Sequence, residues 1–189
     1  SSLQRAALAD GLMALAASGD LTPDDATAAA CAAAATAIRT LFSPLVAKEN
    51  DDKARAAMLA ALGRWAGIRG CEDAAIVEAI VKGLSDKLAE VRRAHLGGLL
   101  AALQSALEGG GAPPAALSGA LPAIAEVLVD LLKPILKKPP VTSVARADAL
   151  GVLVALREAA ELEPKVEAAA AAAKVWTLTL KPSDSFVWA

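Results

Sequence analysis

Leucine, isoleucine and valine recur at intervals of three and four residues along most of the chain, and short polar clusters interrupt them at regular distances. The run "SLQRAALADGLMALAAS" puts Leu3, Leu8, Leu12 and Leu15 near one face and stops at Gly19. In "LTPDD", Thr22 is an N-cap, Pro23 takes the first helical position and Asp24 and Asp25 face the positive dipole end. That second helix runs to about Phe42, where Ser43-Pro44 kinks or ends it.

After the polar linker "KENDDK", Asn50 or Asp51 caps "DKARAAMLAALGRWAG", which Gly67 and Gly70 close. A shorter helix from Glu72 to Lys82 buries Ile76, Val77 and Ile80 beside Leu84. The next spans about Lys87 to Leu107, and "EGGGAPPAALSG", residues 108–119, reads as a flexible loop. Leu121 to Lys137 is helical, with Pro122 in its first turn and Pro134 bending its end. Thr142 or Ser143 caps a helix over Ala145 to Glu161, and Pro164 opens a last one towards Leu178. Eight helices joined by mostly short loops pair as four antiparallel hairpins.

Composition sharpens this to an all-α chain. About a quarter of the 189 residues are alanine, and aromatics are only 3%. Alanine is the best helix former, and small side chains let helices approach closely. The fold class expected is a HEAT- or armadillo-like solenoid of about four helical hairpins, over residues 1–189, as a stretch of a longer one. The stretch "LSDKLAEVRRAHLGGLL" carries the second-helix pattern. In it Asp86 caps, Val91 and Leu96 point inward, Ala94 admits a neighbour and Arg92 reaches the adjacent repeat's turn. "TSVARADALGVLVAL" repeats it with Val144, Arg146, Ala147 and Leu150. The period expected for such units is about 40–47 residues.

Chemistry is sparse. The one histidine, His95, has no second histidine or nucleophile signature beside it and reads as structural. Cys31 and Cys71 make neither a disulfide framework nor a metal motif. "GGGAPP" lacks the Gly-Lys-Ser/Thr of a phosphate loop. An enzyme, a cofactor, a small-molecule substrate and a membrane span are therefore not expected; "AAACAAAATAI" is too short and too weakly apolar for a bilayer. Trp65, Trp176 and Trp188 read as packing anchors between repeats, with Trp188 alternatively belonging under a following repeat and exposed here. A net charge of −2 argues against a general polyanion binder. Three local basic sets stand out: Lys82 with Lys87, Arg92 with Arg93, and Lys133 with Lys137 and Lys138. They suit contact with nucleic-acid phosphate or an acidic protein through sequence-independent pairing, or serve as solvated, dipole-capping charges.

From about Met58 onward the order of features resembles the N-terminal arm of the general-control HEAT-repeat translational activator. "LGRWAG" is followed by a helix pair ending in "AEVRRAHLGGLLAAL". Then come "LPAIAEVLVDLLKPILKKP" and "VTSVARADALGVLVALREAAELEPKVE", which leads into "VWTLTLKPSDSFVWA". About two thirds of the chain carries the likeness, and residues 1–50 share only helicity. The alanine content fits a GC-rich genome such as a green alga's. The resemblance implies a cytoplasmic, non-enzymatic scaffold associated with ribosomes and protein partners, serving the kinase that phosphorylates translation initiation factor 2 alpha during amino-acid starvation. The family's kinase-regulator and elongation-factor-like segments match nothing here. The alternative is a helical-repeat adaptor for peptides or helices in transport or the cytoskeleton.

Overall fold

The computed structural model describes residues 1–17, 25–138, 140 and 142–177. The expected Thr22 cap with Pro23, the stop at Gly19, and the tail bearing Trp188 lie outside them. Among the described residues eight α-helices follow one another: α1 Ser2–Ala17, α2 Asp25–Val46, α3 Asp52–Ala66, α4 Ala74–Lys82, α5 Ala89–Glu108, α6 Ala115–Lys137, α7 Ser143–Leu162 and α8 Pro164–Ala172. Short 3-10 turns occupy Gly83–Ser85 and Val175–Thr177, and no strand occurs among the described residues.

Several boundaries sit where local chemistry demands. The Asp51 carboxylate accepts from the Ala54 N–H at 2.9 Å, the Thr142 hydroxyl from Ala145 at 3.2 Å and the Asp73 carboxylate from Ala75 at 3.1 Å. Each satisfies an N–H that the helix itself leaves unpaired. Pro164 stands at the first position of α8, which is shorter than expected.

Other boundaries differ. Asp86 does not cap α5: its carboxylate accepts from Leu88 N at 2.8 Å, closing a turn, and Leu88 holds the cap position without a side-chain bond. Helix α2 runs through Pro44 to Val46. Helix α6 starts at Ala115, so only residues 109–114 separate it from α5 and Pro122 lies in its interior. The early start has two causes. Pro114 supplies an extended backbone at the cap position, and the Glu72 carboxylate, from the α3–α4 connection, accepts from Ala116 N at 3.1 Å. The helix tolerates both prolines because Leu117, Leu121, Ile124, Leu128 and Leu132 form a fully buried stripe. It is also long and apolar enough to cross a bilayer, but that stripe is spent on the core.

The helices form two rows. In one, α1 packs on α3, α3 on α5 and α5 on α7; in the other, α2 packs on α4, α4 on α6 and α6 on α8. Phe42, Met58, Leu62, Ile80, Leu103, Leu121 and Leu156 are buried between them. Trp65 is buried and donates its indole N–H to the Leu12 carbonyl at 3.2 Å, anchoring α3 on α1.

The α3–α5 contact is the most extensive, and glycine makes it. A Cβ on Gly63 would stand 1.8 Å from the Gly98 carbonyl oxygen, and one on Gly67 2.2 Å from that of Ala102. Only glycine lets the two backbones come that close. The inward face of α5 is thus Ala94, His95, Gly98, Leu99, Ala102 and Leu103. Val91 and Leu96, expected to point inward, are only half-buried.

The stacking interval is not uniform either. Gly63 on α3 faces Gly98 on α5, 35 residues on, whereas Arg93 meets Asp148 across 55. The first interval encloses α4, with 9 residues, and the second α6, with 23. No single period of 40–47 residues can describe both.

Candidate functional site

Successive helices run in opposite directions, and helices within a row run in parallel. Gly63 and Gly67 of α3 face Gly98 and Ala102 of α5 in ascending order. Arg93 and Gln104 of α5 likewise meet Asp148 and Glu158 of α7. Parallel rows put the α2–α3, α4–α5 and α6–α7 turns on one edge of the stack. A cavity of about 210 Å3 confirms that two of these turns are neighbours: its walls include Leu84, Ala89 and Arg93, Leu131 and Ile135 of α6, and Ala145 and Asp148 of α7.

This edge collects the three basic sets. Lys82 ends α4 and Lys87 lies in the following turn; both are exposed. Lys133, Lys137 and Lys138 are exposed on the last turns of α6 and just beyond it. Lys48 and Lys53, either side of the α2–α3 turn, belong to the same edge and are exposed. They were missed because "KENDDK" reads locally as a near-neutral linker; only the parallel stacking of α3 on α5 adds them.

The cations are not equivalent. Arg92 donates to the carbonyls of Asp86 and Lys87 at 2.7 and 2.9 Å, so it closes its own turn and does not reach an adjacent repeat. Arg93 makes that reach. Its Nε and Nη2 donate to the two Asp148 oxygens at 2.6 and 2.9 Å, and this paired carboxylate raises its pKa above the ordinary arginine value. Lys133 pairs with Asp130 at 2.6 Å on an exposed helix face. Lys48, Lys53, Lys82, Lys87, Lys137 and Lys138 have no side-chain partner among the described residues. The free charge of the edge is therefore lysine, and the arginines are structural.

Two buried groups support the turns. Glu49, 5% exposed, accepts from Ser2 Oγ at 3.1 Å, from Arg5 Nε at 2.6 Å and from Asp51 N at 3.1 Å. The Asp51 N–H, then Arg5 and Ser2, lower its pKa against the opposing effect of burial. His95, 8% exposed, donates Nδ1–H to the Ile80 carbonyl at 2.8 Å. Its ring fills the space a Cβ on Gly83 would need. Burial lowers its pKa, only partly offset by the Ile80 carbonyl and Asp86. This histidine holds the end of α4 against α5, below Lys82 and Lys87.

The opposite edge has another character. Glu72, Asp73, Glu108, Glu161 and Glu163 lie at its helix ends. Arg64 pairs there with Glu108 at 2.5 Å and Arg39 with Asp73 at 2.7 Å. Among the described residues no group of three or more histidine, cysteine or acidic side chains is placed to hold a metal ion. Exposed ammonium groups gathered on one edge are of the kind that pair reversibly with phosphate or carboxylate in water.

A family model described as Generalcontrol nonderepressible 1 (Gcn1) N-terminal matches residues 25–188. No curated protein and no solved structure matches the chain.

Proposed function

The chain belongs to the Gcn1 N-terminal family, and from that premise we propose that it is a non-enzymatic scaffold segment of a ribosome-associated regulator of translational stress signalling. Its lysine-bearing edge is the contact surface, and the partner is ribosomal RNA phosphate. The observation that carries this reading is the alignment of Lys48, Lys53, Lys82, Lys87, Lys137 and Lys138 along one edge, without partners among the described residues. A chain whose formal charge is −2 overall still offers phosphate a locally positive strip. Lysine suits such contact because a compact ammonium on a flexible stem pairs without demanding one orientation.

Helices stacked in two rows hold that strip at fixed spacing, as a ruler would, and need no catalytic group. The work is done in the cytoplasm, where the ribosome and protein partners are met. Cosedimentation with purified ribosomes tests it. Reversal of Lys82, Lys87, Lys137 and Lys138 to Glu should remove the protein from the ribosomal fraction at moderate salt and leave its helicity intact. Undiminished cosedimentation of that variant at low and moderate salt would refute the contact.

A further inference from the structure

Two strongly exposed apolar side chains stand on the basic edge, where a phosphate contact has no use for them. Leu88, 56% exposed, holds the cap position of α5, and Val144, 55% exposed, lies in the first turn of α7. Each is followed directly by a wall residue of the cavity of about 210 Å3, Ala89 in one case and Ala145 in the other. Ala149 and Val152 are buried beneath it, while Leu96, Leu131 and Ile135 are only half-buried and leave it open to water.

The size of the cavity has a chemical meaning. A space of about 150 Å3 walled by apolar side chains takes up a benzene ring, so this one admits a phenylalanine side chain. Arg92 and Arg93 also line it. Their donors are spent in the guanidinium plane, on the carbonyls of Asp86 and Lys87 and on Asp148, and the planar faces remain for stacking on a ring.

Charge says what the ring is attached to. Of the acids in the same turns, Asp148 is taken by Arg93 and Asp86 by the Leu88 N–H. Against the remaining Glu90 stand Arg92 in the wall, Lys87 between the wall residues Leu84 and Ala89, and Lys137 and Lys138 just beyond the wall residue Ile135. The parallel helices α5 and α7 both begin here, so their positive dipole ends add to these cations. An acidic occupant is drawn in and a basic one repelled. The depression beside Trp176, a ring expected to be a packing anchor but 38% exposed, has no such rim, since Arg157 there is held by Glu161.

We propose that the cavity between α5, α6 and α7 docks an acidic segment of a partner protein, anchored by one phenylalanine ring. The ring enters between Leu96, Leu131 and Ile135, and apolar atoms of the segment cover Leu88 and Val144. Its carboxylates meet Lys87, Lys137 and Lys138. A nucleobase would bring polar edges that the apolar floor leaves unpaired, so the occupant is protein. The contact needs the cavity, whereas the ribosomal RNA contact needs only the lysines.

Fluorescence anisotropy with the 189-residue chain tests it, using a labelled synthetic peptide of aspartate, glutamate and glycine around one phenylalanine. This peptide should bind saturably, and replacing its phenylalanine by alanine should weaken binding about tenfold or more. A peptide with lysine in place of the acids should not bind. Ala145→Leu fills the cavity mouth and leaves every lysine in place, and it should weaken the phenylalanine peptide to the level of the alanine one. Circular dichroism identifies a variant that has unfolded, and the peptide series needs no variant at all. No ribosome is present, so the outcome is independent of the phosphate contact. Equal binding of the phenylalanine and alanine peptides would overturn the proposal and leave only polyanion pairing by the lysines. So would undiminished binding by folded Ala145→Leu, or tighter binding of a single-stranded RNA that this substitution abolishes.

Discussion

Helix α5 packs against α3 on one side and α7 on the other, and the two seams are built by different means. Against α3 the contact is backbone on backbone: Gly63 opposes Gly98, and Gly67 opposes Ala102 and Ala106. Against α7 the contact is through side chains. Leu96 reaches over Gly151, Arg93 clasps Asp148, Gln104 meets Glu158, and a cavity of about 210 Å3 remains beside them. A seam without room for side chains tolerates no substitution but offers no polar surface. A wider seam can be bridged by charged groups and leaves a groove open.

The sharpest way to break the comparison is a single methyl group. Gly63→Ala forces α3 and α5 apart because the obstacle is backbone, and should cost about 3 kcal/mol or more, read by urea unfolding. Gly97→Ala lies one residue from the seam in open space, where the same change should stabilise by about 0.5–1 kcal/mol. Similar losses at both positions would contradict the close approach.

A second effect is set by pH. His95 has a folded pKa below its ordinary value, so the unfolded chain takes up the proton first. Stability is complete above the unfolded pKa of about 6.5 and falls as pH drops from there towards the folded pKa, by at most about 1.4 kcal/mol per unit. Thermal unfolding between pH 7.5 and 5.5 should show this slope, and His95→Gln should flatten it. Glu49 acts lower: its depressed pKa stabilises above the ordinary carboxylate range and that contribution is lost on acidification through the folded pKa. Thr142→Ala removes the cap of α7 and should cost about 1 kcal/mol by the same unfolding assay. The smallest change is expected for Arg93→Ala, since the Arg93–Asp148 pair is exposed and screened by salt.

How far the sequence carries is visible at particular residues. Asp51, Thr142 and Pro164 are local signals, read within one turn, and the structure uses all three. The start of α6 is not local, because Glu72 caps it from another connection, so Leu121 looked like the first helical leucine. The glycine seam was hidden for the same reason: in isolation Gly63 and Gly98 are weak points of two helices, and only their apposition explains them. The repeat interval stayed illegible because α4 and α6 differ so much in length.

At the candidate site the basic residues were readable, their gathering was not. Lys82, Lys87, Lys137 and Lys138 have no side-chain partner among the described residues, but Arg92 and Arg93 are committed to a turn and to Asp148, and Lys48 and Lys53 join from a polar linker. Pairing and edge assignment are properties of the stack, which no single helix encodes.

The most direct test of the basic edge is site-specific photo-crosslinking to purified ribosomes. A photoreactive amino acid at positions 48, 87 and 137 should each label ribosomal RNA, while the same probe at positions 108 and 163 on the opposite edge should not. Labelling of RNA from the opposite edge, or of ribosomal proteins alone from all positions, would contradict the account.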